Sequence, residues 1–169
     1  MSNKKLTFSI ILILLVIIFI ISIFYFINRS NESAATALYK EIIDLTMSKD
    51  NSLSQNVEYI SLDTDNLVDP LTGKKLSYNY INEIVKYCEK YNSIVYQKDY
   101  QELLNDGLGD NTSLKGCLIS IDLESKSFNS GTINSKIYKG NLASLMSKYN
   151  IKYSNNSWTY EDTGDQIVK

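Results

Sequence analysis

The sequence predicts an α+β protein: an N-terminal transmembrane helix, an amphipathic stalk helix, and then a small mixed domain with antiparallel β-hairpins. Three patterns favour this class: an apolar run over 6–27, helically spaced apolar residues over 33–48, and strand-like segments in the last third of the chain. The expected divisions are a short basic cytoplasmic tail (1–5), a transmembrane helix (6–27), a stalk helix and linker (28–56), an extracytoplasmic α+β domain (57–164) and a frayed tail (165–169).

The apolar run has the length and purity of a membrane-spanning helix. Leu6 to Ile27 contains 22 residues without a charge, a proline or a glycine, and 18 of them are Leu, Ile, Val or Phe. At about 1.5 Å per residue such a helix spans about 33 Å, and the hydrocarbon core of a bilayer is roughly 30 Å thick. Signal peptides have shorter apolar cores, and the nearest small-residue cleavage pattern, Ala35-Thr36-Ala37, lies well beyond the run. The run is interpreted as an uncleaved signal-anchor, with cleavage as the alternative.

The charges at the two ends of the run set the expected orientation. Lys4 and Lys5 precede it, and Arg29 and Lys40 are the cations that follow within about fifteen residues. This bias is small, but a short basic tail is easier to retain in the cytoplasm than to export. We expect a single-pass protein of the cell membrane with its N-terminus in the cytoplasm and its C-terminal domain outside. The reverse orientation is the alternative.

The segment that follows the run has the spacing of an amphipathic helix. Its apolar residues recur every three or four positions, so a helix is predicted over 33–48, either separate from the transmembrane helix or continuous with it. The members of this stripe are Ala34, Leu38, Ile42 and Leu45. Two packing arrangements are open for the stripe: against the protein's own domain, or against a neighbouring subunit.

The remainder of the chain mixes strands and helices, with Pro70 and Gly73 in a loop. The helix over 77–91 has the clearest pattern, because Ile81, Ile84 and Cys88 share one face. The predicted elements are, in order, a strand at 57–63, the helix at 77–91, a strand at 93–97, a helix at 98–106, a strand at 116–124 with FNSGTI as its antiparallel partner, a helix at 141–149, and a hairpin of IKYS and WTYED.

The composition excludes several classes of function. The chain has 17 Lys+Arg, of which Lys4 and Lys5 precede the run, so 15 remain after Ile27 against all 19 Asp+Glu, a net charge of −4. A mildly acidic domain disfavours nucleic acid as a partner. The chain also has no histidine, which removes the commonest general base, the Ser-His and Cys-His pairs and His-based zinc sites. We therefore expect a protein that is not an enzyme, with no catalytic residues and no cofactor.

One acidic loop has part of a calcium-binding pattern. Asp63, Asp65 and Asp69 have the spacing of positions 1, 3 and 7 of an EF-hand loop. Val68 and Lys74 stand where that loop needs its glycine and its final glutamate. The expectation is a solvated loop and no metal site.

Other acidic residues are less specific still. Asp106 and Asp110 belong to a glycine-containing loop, NDGLGDN, that matches no nucleotide-binding fingerprint. Asp122 and Glu124 would lie on one face of a strand, as two carboxylates without a cleft to mark them. None of these residues is assigned a site.

Cys88 and Cys117 are the one pair that can cross-link. Cys88 is on the apolar face of its helix and Cys117 opens a strand, so a candidate disulfide would tie helix to sheet, worth about 3 to 4 kcal/mol on the chain-entropy model. The alternative is that both are small buried hydrophobic side chains.

A separate cluster of five tyrosines is either a stacking surface for a sugar or peptide or a set of half-buried side chains: Tyr80, Tyr87, Tyr91, Tyr96 and Tyr100.

Taken together, these features predict a single-pass, membrane-anchored extracytoplasmic protein. Its role would be a non-enzymatic binding or assembly component of a bacterial cell-envelope or surface apparatus. Its expected partners are the lipid bilayer and other envelope or surface proteins, and not nucleic acid.

The order of elements also resembles that of a type IV pilin or pseudopilin: a short basic tail, an apolar helix that runs into an amphipathic one, and then antiparallel hairpins. That family has a glycine before the cleaved bond and a glutamate five residues into the mature helix. In KLTFSII these places hold Lys5 and Ile10. The resemblance implies, as the alternative function, a filament subunit that lacks the usual glycine and glutamate signature.

Overall fold

The computed structural model describes residues 3–49, 57–110, 112–140 and 143–168. It contains one long N-terminal helix and a mixed six-stranded sheet, so the α+β class is confirmed. The elements are α1 (Asn3–Lys49), β1 (Ile60–Asp63), α2 (Tyr78–Tyr87, continued by a 3₁₀ turn at Cys88–Lys90), β2 (Val95–Tyr96), α3 (Tyr100–Asn105), β3 (Ser113–Lys126), β4 (Ser130–Gly140), β5 (Ala143–Ser154) and β6 (Ser157–Val168).

The sheet has the strand order β2-β1-β3-β4-β5-β6. The short strands β2 and β1 run parallel to each other and to β3, whereas β3 to β6 form an antiparallel meander. Side chains alternate between the two faces of a strand, so the register brings Ile60 beside Cys117 and Ile119 beside Ile137 on one face. That face carries the main hydrophobic core.

Helix α1 is unbroken over 47 residues but lies in two different environments. From Ile10 to Ile27 every large apolar side chain is exposed, with 43 to 76% of its surface accessible. From Ala35 to Met47 one side of the same helix is buried, and its innermost side chains are Ala35, Tyr39, Ile42 and Ile43. The apolar part is the one helix in the described chain that is long and apolar enough to cross a membrane.

The second part of α1 packs across the sheet of its own domain. The Thr46 and Ser135 hydroxyl oxygens are 2.5 Å apart in a buried hydrogen bond between helix and strand β4. Lys49, at the helix end, forms an ion pair of 2.6 Å with Asp162 of β6. Residues 34–47 therefore belong to the domain core and do not form a separate stalk, because the sheet would expose its apolar face without them.

Helix α2 is attached to α1 through the Asp44 carboxylate. Tyr87 and Tyr91 donate their hydroxyls to it at 2.8 and 2.7 Å, and Lys90 donates its ammonium group at 2.8 Å. Burial disfavours the charged carboxylate, but the hydrogen bonds from Lys90, Tyr91 and Tyr87 outweigh it, so the pKa of Asp44 lies below its ordinary value. This cluster explains two of the five crowded tyrosines as structural residues.

The helix predicted over 141–149 is wrong, since strand β5 occupies Ala143–Ser154 and residues 141–142 lie outside the described ranges. Ser144 at its start is buried, and from Leu145 onward the buried positions alternate, at Leu145, Ser147, Tyr149 and Ile151. A serine at one core position hides this period of two, and the remaining apolar residues also fit a helical spacing. Pairing with β4 on one side and β6 on the other decides the conformation.

The frayed tail predicted at 165–169 is also corrected as far as it is described. Strand β6 continues to Val168, and its last residues pair with the start of β5, where Val168 faces Ser144. Because β5 is a strand and not a helix, it offers the end of the chain a row of backbone partners. The domain thus extends beyond residue 164.

Candidate functional site

The two faces of the sheet differ in how they are covered. One face lies under α1, and among the described residues the other is covered only at one corner, by α3 and a small cluster of Tyr59, Leu103, Leu114 and Leu118. Between α3 and the strands is an open groove of about 630 Å³, within the usual size range of ligand sites. Its principal lining side chains are Asp63, Asp99, Tyr100, Asp122, Lys136 and Tyr138.

The floor of the groove is set by strand register. Asp63 at the end of β1 pairs with Ser120 of β3, which in turn pairs with Lys136 of β4. One step along the sheet, Leu118 pairs with Tyr138. Cross-strand partners project to the same face, so these residues form two adjacent rows that are accessible from the open side.

The wall of the groove is the start of α3. The Asp99 carboxylate accepts a hydrogen bond from the Glu102 N–H at 2.8 Å, and the Glu102 carboxylate accepts one from the Asp99 N–H at 2.9 Å, a complete capping box. This cap fixes the neighbouring Tyr100, whose ring meets that of Tyr138 edge-on at 5.2 Å. Burial and a hydrogen bond with Tyr100 raise the pKa of Tyr138 to about 12.

The groove is electrostatically negative, with three aspartates against one lysine among its lining residues. Burial raises the pKa of Asp63, the charges of Asp65, Asp122 and Asp99 raise it further, and a hydrogen bond from the Asp65 N–H opposes them. No three acidic or sulfur side chains of the described residues come close enough together to hold a metal ion. Carboxylates and tyrosine rings favour organic cations such as ammonium or guanidinium groups.

The fold places some of the acidic residues singled out from the sequence in the groove and others in ion pairs outside it. Asp63 and Asp122 meet in the groove, although they come from two different candidate sets. Their sequence neighbours do not: Asp65 pairs with Lys75 at 2.9 Å, and Glu124 pairs with Lys148 at 2.6 Å.

The other carboxylates of the acidic loops have structural roles. Asp69 accepts hydrogen bonds from the Leu71 N–H and the Thr72 hydroxyl and so shapes its own turn. Asp106 pairs with Lys98, and Asp110 accepts from the residues that follow it. The EF-hand spacing therefore does not correspond to a gathered set of ligands in the described residues.

Asp99, Lys136 and Tyr138 were missed by sequence reasoning. Lys136 and Tyr138 come from β4 and reach the groove only through sheet pairing, for which a single sequence has no local signal. Asp99 does have a local sequence signal, because an Asp followed three residues later by a Glu is the pattern of a helix N-cap. That pattern predicts the start of α3 but not a site.

The two cysteines are buried in the main core. Both are free thiols in this structure, and burial raises the pKa of each to about 12, which makes them poor nucleophiles. This arrangement corresponds to the alternative of two small hydrophobic side chains. A Cys88–Cys117 bridge in an oxidising compartment stays a prediction.

The five crowded tyrosines do not form one surface. Tyr80 donates its hydroxyl to the Arg29 carbonyl at 3.2 Å, Tyr96 packs edge-on against Tyr59, and Tyr100 lines the groove. With Tyr87 and Tyr91 bound to Asp44, only Tyr100 is available to a groove ligand.

No family model matches the chain, and neither the curated proteins nor the solved structures contain a match to it.

Asp63→Asn is expected to leave the domain at least as stable as the wild type at pH 7. The raised pKa means that ionisation of Asp63 favours the unfolded state, and this penalty grows as the pH rises above the ordinary value of 3.8. The asparagine removes the charge and can still accept the Asp65 N–H. Urea unfolding at several pH values should show the two proteins converging below about pH 4.

The control for this comparison is Asp65→Asn, an exposed ion-pair partner whose loss should change the free energy of unfolding by less than about 1 kcal/mol. A clear destabilisation of Asp63→Asn at pH 7 would mean that the Asp63 carboxylate stabilises the fold, which contradicts the raised pKa of this group.

Proposed function

We propose that this protein is a single-pass, membrane-anchored extracytoplasmic component that binds or organises other molecules of the cell envelope. The proposal does not assign it a reaction. The observation that carries it is the unbroken helix α1, which is exposed and apolar from Ile10 to Ile27 and belongs to the domain core from Ala35 to Met47. One rigid element thus serves as both anchor and core.

The large apolar side chains of α1 from Ile10 to Ile27 are all exposed. An apolar surface of this size is unstable in water. A bilayer supplies the missing apolar surroundings, and a helix satisfies all of its own backbone hydrogen bonds there. These facts support an anchored protein over a freely dissolved one.

Two features support an uncleaved anchor. Cleavage after Ala37 would remove Ala35 and Thr36, which are both buried in the domain. It would also detach the apolar run from a helix that continues without a break. For the orientation, Lys4 and Lys5 favour a cytoplasmic N-terminus, which leaves the groove outside the cell.

The proposal is tested with the full-length chain in cells. We expect the intact chain to stay with membranes in alkaline carbonate, and protease added to intact cells to digest the domain. Recovery in the carbonate supernatant would refute the anchor. A domain that is protected until the cells are broken would refute the orientation alone.

A second candidate function is a pilin-like filament subunit. The observation that favours it is the arrangement of α1, with one part projecting and the other packed across a mixed sheet whose strands β3 to β6 are antiparallel. Lys5 and Ile10 still stand where the pilin signature has glycine and glutamate. Sequencing the mature N-terminus separates the two functions: a start at Leu6 or Thr7 supports the filament subunit, and an intact start supports the anchor.

A further inference from the structure

The domain has a defined end next to the apolar part of α1, called here the anchor rim. At this end the start of α2 is held to α1, because the Glu32 carboxylate accepts the Ser77 N–H at 2.8 Å and Tyr80 donates to the Arg29 carbonyl. The turn between β5 and β6 is there too, since Asn156 shares a shallow hollow with Phe26 and Arg29. The rim is therefore one or two helical turns from the apolar run.

The antiparallel meander places a second turn at the same end. The β3–β4 turn at residues 127–129 lies beside the end of β5, where Tyr153 donates its N–H to the Asn129 carbonyl at 2.7 Å. Ser130 pairs with Lys152, so Phe128 is level with Ser154, one residue short of the β5–β6 turn. Both turns thus belong to the anchor rim.

The two most exposed aromatic side chains of the domain are on this rim. Phe128 is 93% exposed at the β3–β4 turn and Tyr78 is 72% exposed at the start of α2. Outside the apolar run, the other large apolar side chains found exposed in the described residues are Ile94 at 47% and Tyr160 at 39%. A single exposed apolar residue is ordinary, but two largely exposed aromatic residues at the same end of the domain, next to the anchor, indicate a contact surface there.

The distances match the thickness of a headgroup layer. Arg29 and Ser33 lie about 3 and 9 Å beyond Ile27 along a helix, and a headgroup layer is roughly 5 to 8 Å thick on each side of a bilayer. Because Phe128 is level with Ser154, it lies about 3 Å, or one strand residue, further from the apolar run than the β5–β6 turn does. A spanning helix tilts by about 20° on average, which brings one side of the rim closer to the membrane.

We propose that Phe128 and Tyr78 form a membrane footprint, seated in the headgroup region of the same bilayer that α1 crosses. The proposal rests on the proposed anchor. Phenylalanine enters the acyl boundary, and tyrosine keeps its hydroxyl among the headgroups, as aromatic belts do at membrane interfaces. Lys152 flanks the turn and is exposed, so its ammonium group can remain at the lipid phosphates, whereas that of Lys126 donates to the Leu71 carbonyl at 3.1 Å. The footprint would fix the domain's tilt and direct its groove away from the bilayer.

The test uses depth-dependent quenching of a tryptophan placed in the rim. The full-length chain is reconstituted in phosphatidylcholine vesicles, with and without brominated acyl chains, in a Trp158→Phe background. That background costs no hydrogen bond, because the Trp158 indole N–H has no partner among the described residues. Phe128→Trp reports on the rim, and Asn105→Trp, an exposed site on α3 at the far end of the sheet, is the matched control.

We expect the tryptophan of Phe128→Trp to lose about half or more of its emission to brominated lipid, and that of Asn105→Trp to lose almost none, because interfacial aromatic residues sit at headgroup level. Flotation of both variants with the vesicles reports separately on the anchor. Flotation with equal, weak quenching of the two tryptophans would overturn the footprint and leave the anchor standing. A blue-shifted but unquenched tryptophan at 128 would also overturn it, because a protein surface and not lipid would then cover the turn.

Discussion

Ala35→Asp is expected to unfold the domain or to lower its free energy of unfolding by more than about 3 kcal/mol, because it places an unpaired carboxylate in the core. Ala35 is completely buried in the main core. It lies in the part of α1 that the sequence analysis assigns to a stalk helix and not to the domain. A typical domain has a total stability of about 5 to 15 kcal/mol, so most of it would be lost. Urea unfolding in detergent, followed by the fluorescence of the buried Trp158, measures the change.

Ala37→Asp is the matched control, since Ala37 is on the same helix but faces solvent. This variant should lose only the difference in helix propensity, up to about 0.7 kcal/mol. Equal unfolding midpoints for the two variants would show that α1 is not part of the core, and the argument for a shared anchor and core would fail.

The double substitution Ile17→Asp and Ile18→Asp is expected to release the chain from the membrane. Each charge at the centre of a spanning helix costs about 2.5 to 3.5 kcal/mol, and the whole run contributes only about −5 to −11 kcal/mol. Both side chains are exposed in the structure, so the domain itself should stay folded. Carbonate extraction should move most of the protein to the supernatant.

The corresponding control is Asn28→Asp with Asn31→Asp, which adds the same two charges just beyond the apolar run. This variant should remain in the membrane pellet. If the central variant also remains there at the wild-type level, the run is held by something other than lipid, such as a protein channel or a filament interior.

The elements with strong local patterns could be predicted from the sequence. The apolar run, the amphipathic continuation and the helix at 77–91 have clear spacing, and α1 and α2 occupy those segments. Of the two arrangements left open for the amphipathic helix, the structure has the continuous one, because Asn28 to Ser33 are polar but contain no proline or glycine to stop a helix. The prediction for the β5 segment was wrong because Ser147 occupies a core position and hides the alternation of buried and exposed residues.

The groove could not be predicted, because no segment of sequence contains it. Asp63, Asp122 and Lys136 are far apart in the chain and meet only through the register of three strands. The sequence spacing groups Asp63 with Asp65, yet the fold pairs Asp65 with Lys75 and places Asp63 in the groove. Pairing between distant strands is a property of tertiary structure, and residue spacing alone does not encode it.

The contact between the first and last elements of the chain constrains how the protein is made. Lys49 of α1 forms an ion pair with Asp162 of β6, and Trp158 belongs to the same core as Ala35. The core is therefore complete only when α1 and β6 are both in place. Long-range contacts of this kind form late and slowly. In the proposed orientation, the amphipathic half of α1 would stay uncovered beside the bilayer until the final hairpin has been translocated. A chaperone at the export site would then be needed most during that interval.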